Sequence, residues 1–186
     1  SANAGAAIHT AQLHIETQRR AREMATLAEV GRDISSSLEV STVLESIVEN
    51  AMELLNGELS ALFIPESNGL IFRAIAAVGE NADQLRNDTI ELGTGILGAI
   101  ATNKVGEIVN DANNDPRALT IAGTENAPNE HMLAVPMLAN NELKGLMAVW
   151  RTGAGQDFTD AELEFLNNLS RQAVIAVQNS QLFAEA

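Results

Sequence analysis

The sequence predicts an α+β domain, and three observations support this prediction. Apolar residues recur at spacings of three and four near both ends of the chain, which is typical of helices. Between about residues 59 and 150, short apolar runs alternate with turn-forming residues, which is typical of strands. The 186 residues are 46% hydrophobic, enough to bury one sizeable core without metals or disulfides.

Composition excludes several classes of protein. The chain contains no cysteine, which rules out disulfides, thiolate metal sites, thiol catalysis and thioether-linked cofactors. The 25 acidic and 11 basic residues give a formal net charge of −14, the wrong sign for binding nucleic-acid phosphates or an anionic membrane surface. The longest apolar runs, such as 146–150, are too short to span a membrane, and no secretory signal is visible. We therefore expect a cytoplasmic domain with no nucleic-acid partner and no membrane-inserted segment.

The beginning of the chain is predicted to be helical in two parts. Residues 1–40 are assigned to a leading signalling helix or linker, and the domain body to residues 41–183. A run of serines weakens the helix near its end, so a break is expected before Ser41. Thr42 and Glu45 fit a capping box that begins the next helix.

Short strands and one short helix are predicted in the middle of the chain. In order, they are strands 59–64, 70–78 and 88–92, helix 96–102, and strands 105–110, 132–138 and 143–150. The first two and the last two strands read as hairpins, the latter turning at Asn140-Asn141. Pro136 inside a strand predicts a bulge or an unpaired backbone position. Residues 111–130 show little regularity, which is typical of a functional or lid segment.

The last predicted helix begins at a Thr159–Glu162 capping box and runs to about residue 183. One seam of apolar and small residues follows its length: Leu166, Leu169, Ala173, Ala176, Ser180 and Phe183. Further apolar residues lie outside this seam, so the helix needs burial on two sides. We assign one side to the domain's own sheet and the other to a second copy. Together with the leading helix, the seam predicts a parallel homodimer through the terminal helices.

Several short sequence motifs follow one another along the domain body. In order they are Ala76-Ala77-Val78-Gly79, Gly93-Thr94-Gly95-Ile96-Leu97-Gly98, Val109-Asn110-Asp111, Asp115-Pro116-Arg117, Leu133–Met137 with Leu143–Val149, Phe158–Glu162 and Ala173–Asn179. The series resembles the GAF family of sensor domains. The resemblance implies a GAF-like or PAS-like central antiparallel sheet of about six strands with helices on one face and a ligand cavity on the other. It also implies long N- and C-terminal helices in a dimer bundle.

The resemblance further implies a small-molecule-sensing regulatory domain that dimerises and relays a signal through its terminal helices. The larger protein would be a signalling protein such as a histidine kinase of a two-component system or a cyclase. The alternative is a ligand-free dimerisation or spacer module whose cavity is filled by side chains. An enzyme is not expected, because no nucleophile or metal constellation is visible. Family members that attach a bilin or reduce methionine sulfoxide need cysteines, which this chain lacks.

Eight residues are candidates for the ligand pocket: Phe63, Gly95, Asp111, Asn114, Arg117, His131, Met132 and Met147. Phe63, Met132 and Met147 would provide an apolar wall if they face the cavity. A shift of one residue in strand register would turn each of these side chains to the other face of the sheet. An unidentified small molecule is the only ligand expected, with no metal, haem or covalent cofactor.

Each polar candidate also has a structural interpretation. The Gly93–Gly98 turn would either hold an anion on its backbone N–H groups or serve as a plain strand-to-helix turn. Asp111 would either bind ligand or cap a turn, and Arg117 would either bind ligand or pair with a neighbouring carboxylate. His131 stands without the cysteine or second histidine that a metal site in the domain body would need.

Overall fold

A computed structural model describes residues 36–119 and 128–185, with side chains described within 39–119 and 128–179. The elements in chain order are α1 Ser36–Leu54, β1 Leu59–Pro65, β2 Ile71–Gly79, α2 Ala82–Arg86, β3 Thr89–Glu91, α3 Gly95–Asn103, β4 Glu107–Val109, a 3₁₀ turn Ala112–Asn114, β5 Glu130–Ala139, β6 Glu142–Thr152 and α4 Asp160–Glu185. All the predicted strands are present. The sequence did not reveal α2 or the 3₁₀ turn, because such short elements contain too few residues to show a period.

The strands form one antiparallel sheet in the order β3-β2-β1-β6-β5-β4. This confirms the predicted α+β architecture with six strands. Asn140 and Asn141 both adopt positive φ in the turn between β5 and β6, as expected of a tight hairpin. The order places β1 and β6 at the centre of the sheet, where both faces are covered.

The two faces of the sheet carry separate apolar clusters. Leu62, Leu133 and Met147 point to the face covered by α1 and α4. Phe63, Met132 and Trp150 belong to the cluster on the opposite face, together with residues of α2 and α3. Neighbouring strand residues alternate between faces, so this division follows from the strand period of two.

Helix α1 corrects the predicted boundary. The helix is continuous from Ser36 to Leu54, so the break expected before Ser41 is wrong. Val40, before that position, and Leu44, after it, pack on the same core, and a continuous apolar face outweighs the weak helix propensity of serine. Residues 1–35 lie outside the described residues, and the division into a linker and a domain body stays a prediction.

Helix α4 corrects the predicted dimer seam. Leu166, Ala173 and Ala176 are buried in the chain's own core, and Leu169 is partly buried against it. The helix packs against both β5 and α1, so α1 of the same chain covers the side that we assigned to a partner. The prediction is therefore wrong for these buried residues, because spacing reports burial and not what provides it. The side chains of Ser180 and Phe183 lie outside those described, and the homodimer stays a prediction.

Pro136 occupies an unpaired edge of β5, as predicted. It is opposite Leu146 in β6, but only Met132–Ala134 of β5 pair with β4 on the other side. The missing N–H therefore leaves no gap in the ladder. A register shift follows between Met137 and Leu138. None of the helices among the described residues is long and apolar enough to cross a membrane.

Candidate functional site

A cavity of about 460 Å³ lies on the sheet face opposite α1 and α4. Its apolar wall comes from three parts of the chain: Phe63, Met132 and Trp150 on the sheet; Leu85, Ile90, Ile96 and Leu97 on α2, β3 and α3; and Ala112, Ala118 and Leu119 on and after the 3₁₀ turn. Its volume lies within the usual range of small-molecule sites, roughly 300–1,000 Å³.

The sheet side of the cavity is built by strand alternation. Met132 in β5 lies directly opposite Trp150 in β6, and both belong to the same apolar cluster. Phe63 contributes from β1, on the other side of β6. Two aromatic rings and a thioether thus form one side of the cavity. Such a surface favours a ligand with an apolar or aromatic part.

The turn into α3 forms the opposite rim. Gly95 has a φ of +74°, and a Cβ added there would lie 2.8 Å from Leu119 Cδ1. Glycine therefore lets Leu119 lie close to the start of the helix. The N–H of Gly93 donates to the carbonyl of Gly98 at 2.9 Å, and that of Thr94 to the carbonyl of Glu91 at 3.1 Å. These two bonds close the strand-to-helix turn, and the N–H groups of Gly95, Ile96 and Leu97 at the start of α3 have no partner within the helix.

Three acidic residues line the cavity: Asp88, Glu91 and Glu130. None of their carboxylates makes a hydrogen bond or ion pair within the part of the chain that the structure describes. Burial, together with the charge of Glu58, raises the pKa of the Glu130 carboxyl. Glu58 accepts hydrogen bonds from Thr152 Oγ1 at 2.8 and 2.9 Å, and Thr152 is the cross-strand partner of Glu130. This end of the cavity therefore concentrates negative charge.

Phe63, Gly95 and Met132 are the predicted site residues that line the cavity, and the other five do not. Met147 is fully buried in the helix-side core, so the expectation that it faces the cavity is wrong. Its neighbours Leu146 and Ala148 point to the cavity side. The error is a shift of one residue along β6, which reverses every side chain.

Arg117, Asp111 and Asn114 stabilise the segment beside the cavity without lining it. Arg117 donates to Asp115 at 2.9 Å and to Glu107 at 2.9 and 3.0 Å. The hydrogen bond with Asp115 is the main cause of the raised pKa of Arg117, and it lowers the pKa of Asp115. Asn114 Nδ2 donates to Asp111 at 3.0 Å. The charge-pairing interpretation therefore accounts for Arg117, whereas Asp111 makes no side-chain cap on the 3₁₀ turn and binds the Asn114 side chain instead.

His131 is buried and binds the loop before α4. Its Nε2 lies 2.8 Å from the carbonyl oxygen of Gly153, and its Nδ1 lies 3.3 Å from Asn110 Oδ1. It is adjacent to Met132 in β5 and therefore points away from the cavity. Within residues 36–119 and 128–185, no cluster of three or more His, Asp or Glu side chains is suited to a metal ion.

Sequence reasoning missed several lining residues. Glu130 lies two residues before Met132, so strand periodicity places both on one face and offered a usable signal. Leu85 lies on the short helix that was not predicted, and Trp150 was treated as core. For Asp88 and Leu119 the local sequence holds no signal, because only tertiary contacts bring these loop residues to the cavity.

Arg151 links the cavity side of β6 to both long helices. It follows Trp150 and points to the opposite face, where it is only 5% exposed. Its guanidinium donates to Glu162 in the first turn of α4 and, at 2.7 Å, to the carbonyl of Leu55 at the end of α1. The same group stacks 3.9 Å from the ring centre of Phe158. One side chain therefore contacts the end of α1 and the start of α4.

Comparisons with known proteins agree with this architecture. Residues 37–178 match the family model of the GAF domain. The GAF domain of an Acinetobacter phosphoenolpyruvate-protein phosphotransferase is 18% identical, with a TM-score of 0.68, covering 89% of this chain and 98% of that one. The second GAF domain of DevS from Mycobacterium smegmatis is 15% identical, with a TM-score of 0.64, covering 78% and 98%. A free methionine-R-sulfoxide reductase from Neisseria meningitidis, solved with its substrate, is 13% identical, with a TM-score of 0.65, covering 86% and 88%. At these identities the likeness shows a shared fold.

Proposed function

Since the chain belongs to the GAF domain family, we propose that it is a regulatory domain that binds a small molecule in the cavity beside α3. The observation that carries the proposal is the open volume of about 460 Å³ between the sheet and α3. A concave surface of this size is the usual form of a small-molecule site, and a spacer module needs none. Phe63 and Trp150 offer aromatic surface, and the acidic residues offer charge without a counter-charge on the described wall.

Ligand binding would change the positions of the helices through two adjacent residues of β6. Trp150 lines the cavity, and Arg151 holds the end of α1 and the start of α4. A ligand that shifts the backbone at Trp150 also shifts that of Arg151, because the two residues share a peptide bond. The hydrogen bonds of Arg151 then transmit that displacement to both helices, and the ligand shifts the equilibrium between two helix arrangements.

The relay would act on an effector within a signalling protein such as a histidine kinase or a cyclase. We propose a homodimer through helical segments as the assembly that transmits helix motion. On α4, Ile175 is a large apolar side chain that is 40% exposed, and this exposure supports a contact with a second copy on its face. The buried seam residues have no part in this contact.

A ligand screen with a blocked cavity tests the proposal. The variant Ala118→Trp places a large ring at the cavity wall, from an exposed residue whose replacement leaves the core intact. Ala154→Trp, in an exposed turn outside the cavity wall, is the matched control. Thermal shift measurements would screen amines, amino acids, small carboxylates and cyclic nucleotides.

A compound that binds the cavity should stabilise the wild type and Ala154→Trp by about 2.7 kcal/mol at a hundredfold excess over Kd. Ala118→Trp should lose most of this stabilisation while keeping wild-type stability without ligand. A compound that stabilises all three proteins equally binds elsewhere and contradicts the assigned site. A wild type that responds to no class favours the spacer module.

A further inference from the structure

The charge of the cavity wall narrows the chemistry of its ligand. Among the described lining residues, Asp88, Glu91 and Glu130 are acidic, and none is Lys, Arg or His. Each described Lys and Arg outside the wall contacts another group; Arg73, for example, pairs with Glu66, and Lys104 donates to the carbonyl of Asn141. Residues 120–127 contain no basic residue in their sequence. Among the described residues, no lysine or arginine therefore lines the cavity, and Arg117, in the segment beside it, is held by Asp115 and Glu107.

For an anion, the turn into α3 offers only the N–H groups of the first helical residues, Gly95 to Leu97, and no charged partner. At the turn into α3, the Gly93 and Thr94 N–H groups donate to carbonyl oxygens of their own turn. A Cβ at Gly98 would contact the Glu91 carbonyl, so this turn is closed by its own packing. A phosphate or carboxylate would thus lose its hydration for these N–H groups alone, on a wall that carries three carboxylates, so its desolvation cost is poorly offset.

The same wall suits a positive charge. Glu130 faces the same side of β5 as Met132, which places it diagonally across from Trp150 in β6. An acidic group and an indole ring then lie side by side on one end of the cavity. Both attract an ammonium group, the carboxylate by its charge and the ring by its electron-rich face. Phe63, Ile90 and Ile96 remain available for an apolar body.

We propose that the cavity binds an organic cation, a protonated amine carried on an aromatic or aliphatic body, with the ammonium at the Glu130–Trp150 end. This inference rests on the proposed function, since it names the ligand class of the same cavity. The raised pKa of Glu130 adds a consequence. An ammonium beside this carboxyl favours its ionised form, so binding should release a proton where Glu130 is partly protonated.

A matched series of ligands tests the charge alone. Tryptamine, tryptophol and indole-3-acetate carry the same indole and differ in bearing a cation, a hydroxyl or an anion. Isothermal titration of the full 186-residue chain near neutral pH should give tryptamine a Kd at least about tenfold lower than that of tryptophol. Indole-3-acetate should bind most weakly.

Variants locate the ammonium. Glu130→Gln should raise the Kd of tryptamine about tenfold and leave that of tryptophol within about twofold. Glu53→Gln, an exposed position on the helix side, removes the same charge and should change neither. Circular dichroism checks that each variant is folded. If Glu130→Gln is unfolded, Asp88→Asn serves as a second cavity variant.

The outcomes separate the ligand class from the proposed function. Equal or tighter binding of tryptophol or indole-3-acetate overturns the cationic class and leaves the cavity as a ligand site. An equal loss of tryptamine binding in Glu53→Gln shows that only net charge matters, which also overturns the assignment. If tryptamine does not bind at all, the cation proposal fails, and the broader screen with Ala118→Trp then decides whether the cavity binds anything.

Discussion

Arg151 and Glu162 form a two-point ion pair, with Nη1–Oε2 at 2.7 Å and Nη2–Oε1 at 3.0 Å. Glu162 also accepts the N–H of Thr159 at 3.1 Å, so the carboxylate that caps α4 is held by the strand beneath it. Arg151 in turn satisfies the carbonyls of Leu55 and Gln156. The pair therefore fixes where two helices meet the end of β6.

Replacing Arg151 should be among the most destabilising changes in the domain. Arg151→Ala removes a buried charge with its hydrogen bonds and should lower the free energy of unfolding by about 3–5 kcal/mol. Arg151→Lys should recover only part of this, because lysine lacks the planar fork of donors. Arg171→Ala, on an exposed turn of α4, should change stability by less than about 0.5 kcal/mol. Urea unfolding measures all three, and a tolerated Arg151→Ala would contradict the role of the pair.

Glu162 and Glu130 should give opposite pH dependences of stability. Hydrogen bonds from Arg151 lower the pKa of Glu162 from 4.5, so its stabilisation is present above that pH and is lost as pH falls. Burial raises the pKa of Glu130 above 4.5, so the folded state holds its proton longer and stability is lost as pH rises.

Urea unfolding at about pH 4 and about pH 7 tests both signs. Glu162→Gln should cost more stability at the higher pH. Glu130→Gln should become more stable relative to wild type as pH rises. The same sign for both variants would show that at least one carboxyl is not in the environment described.

Two substitutions on α4 separate folding from assembly. Ala173 is fully buried, so Ala173→Glu places an unpaired carboxylate in the core and should unfold the domain. Ile175 is 40% exposed, so Ile175→Glu should remain folded. Light scattering of wild type and Ile175→Glu then reports assembly. A dimeric wild type with a monomeric Ile175→Glu supports the proposed homodimer, whereas a folded, monomeric Ala173→Glu would contradict the burial of the seam.

The hairpins could be predicted because their turns carry local signals. Asn140-Asn141 needs positive φ at both residues, and few sequences tolerate that. Which face each residue of β6 takes could not be predicted. Residues 146–150 are apolar throughout because this central strand is buried on both sides, so Met147 and Trp150 carry no alternation to set the register.

For a related reason, the sequence could not show which element packs against α4. The spacing of Leu166 and Ala173 shows that α4 is buried, and a second copy or α1 satisfies that pattern equally well. The cavity could not be predicted from the sequence, because tertiary contacts bring its wall together. Asp88 and Leu119 are 31 positions apart, and only the folded chain brings them to one wall.

For the proposed ligand site, the contact of Gly95 with Leu119 also bears on how long a ligand would stay bound. Leu119 forms part of the cavity wall yet remains 67% exposed, so little apolar burial holds it in place. Displacing it exposes little further surface and breaks none of the strand pairing beneath. Local openings of this kind cost far less than global unfolding. The residence time of a ligand would then be set by movement at this rim, and occupancy would follow changes in concentration while the sheet stays intact.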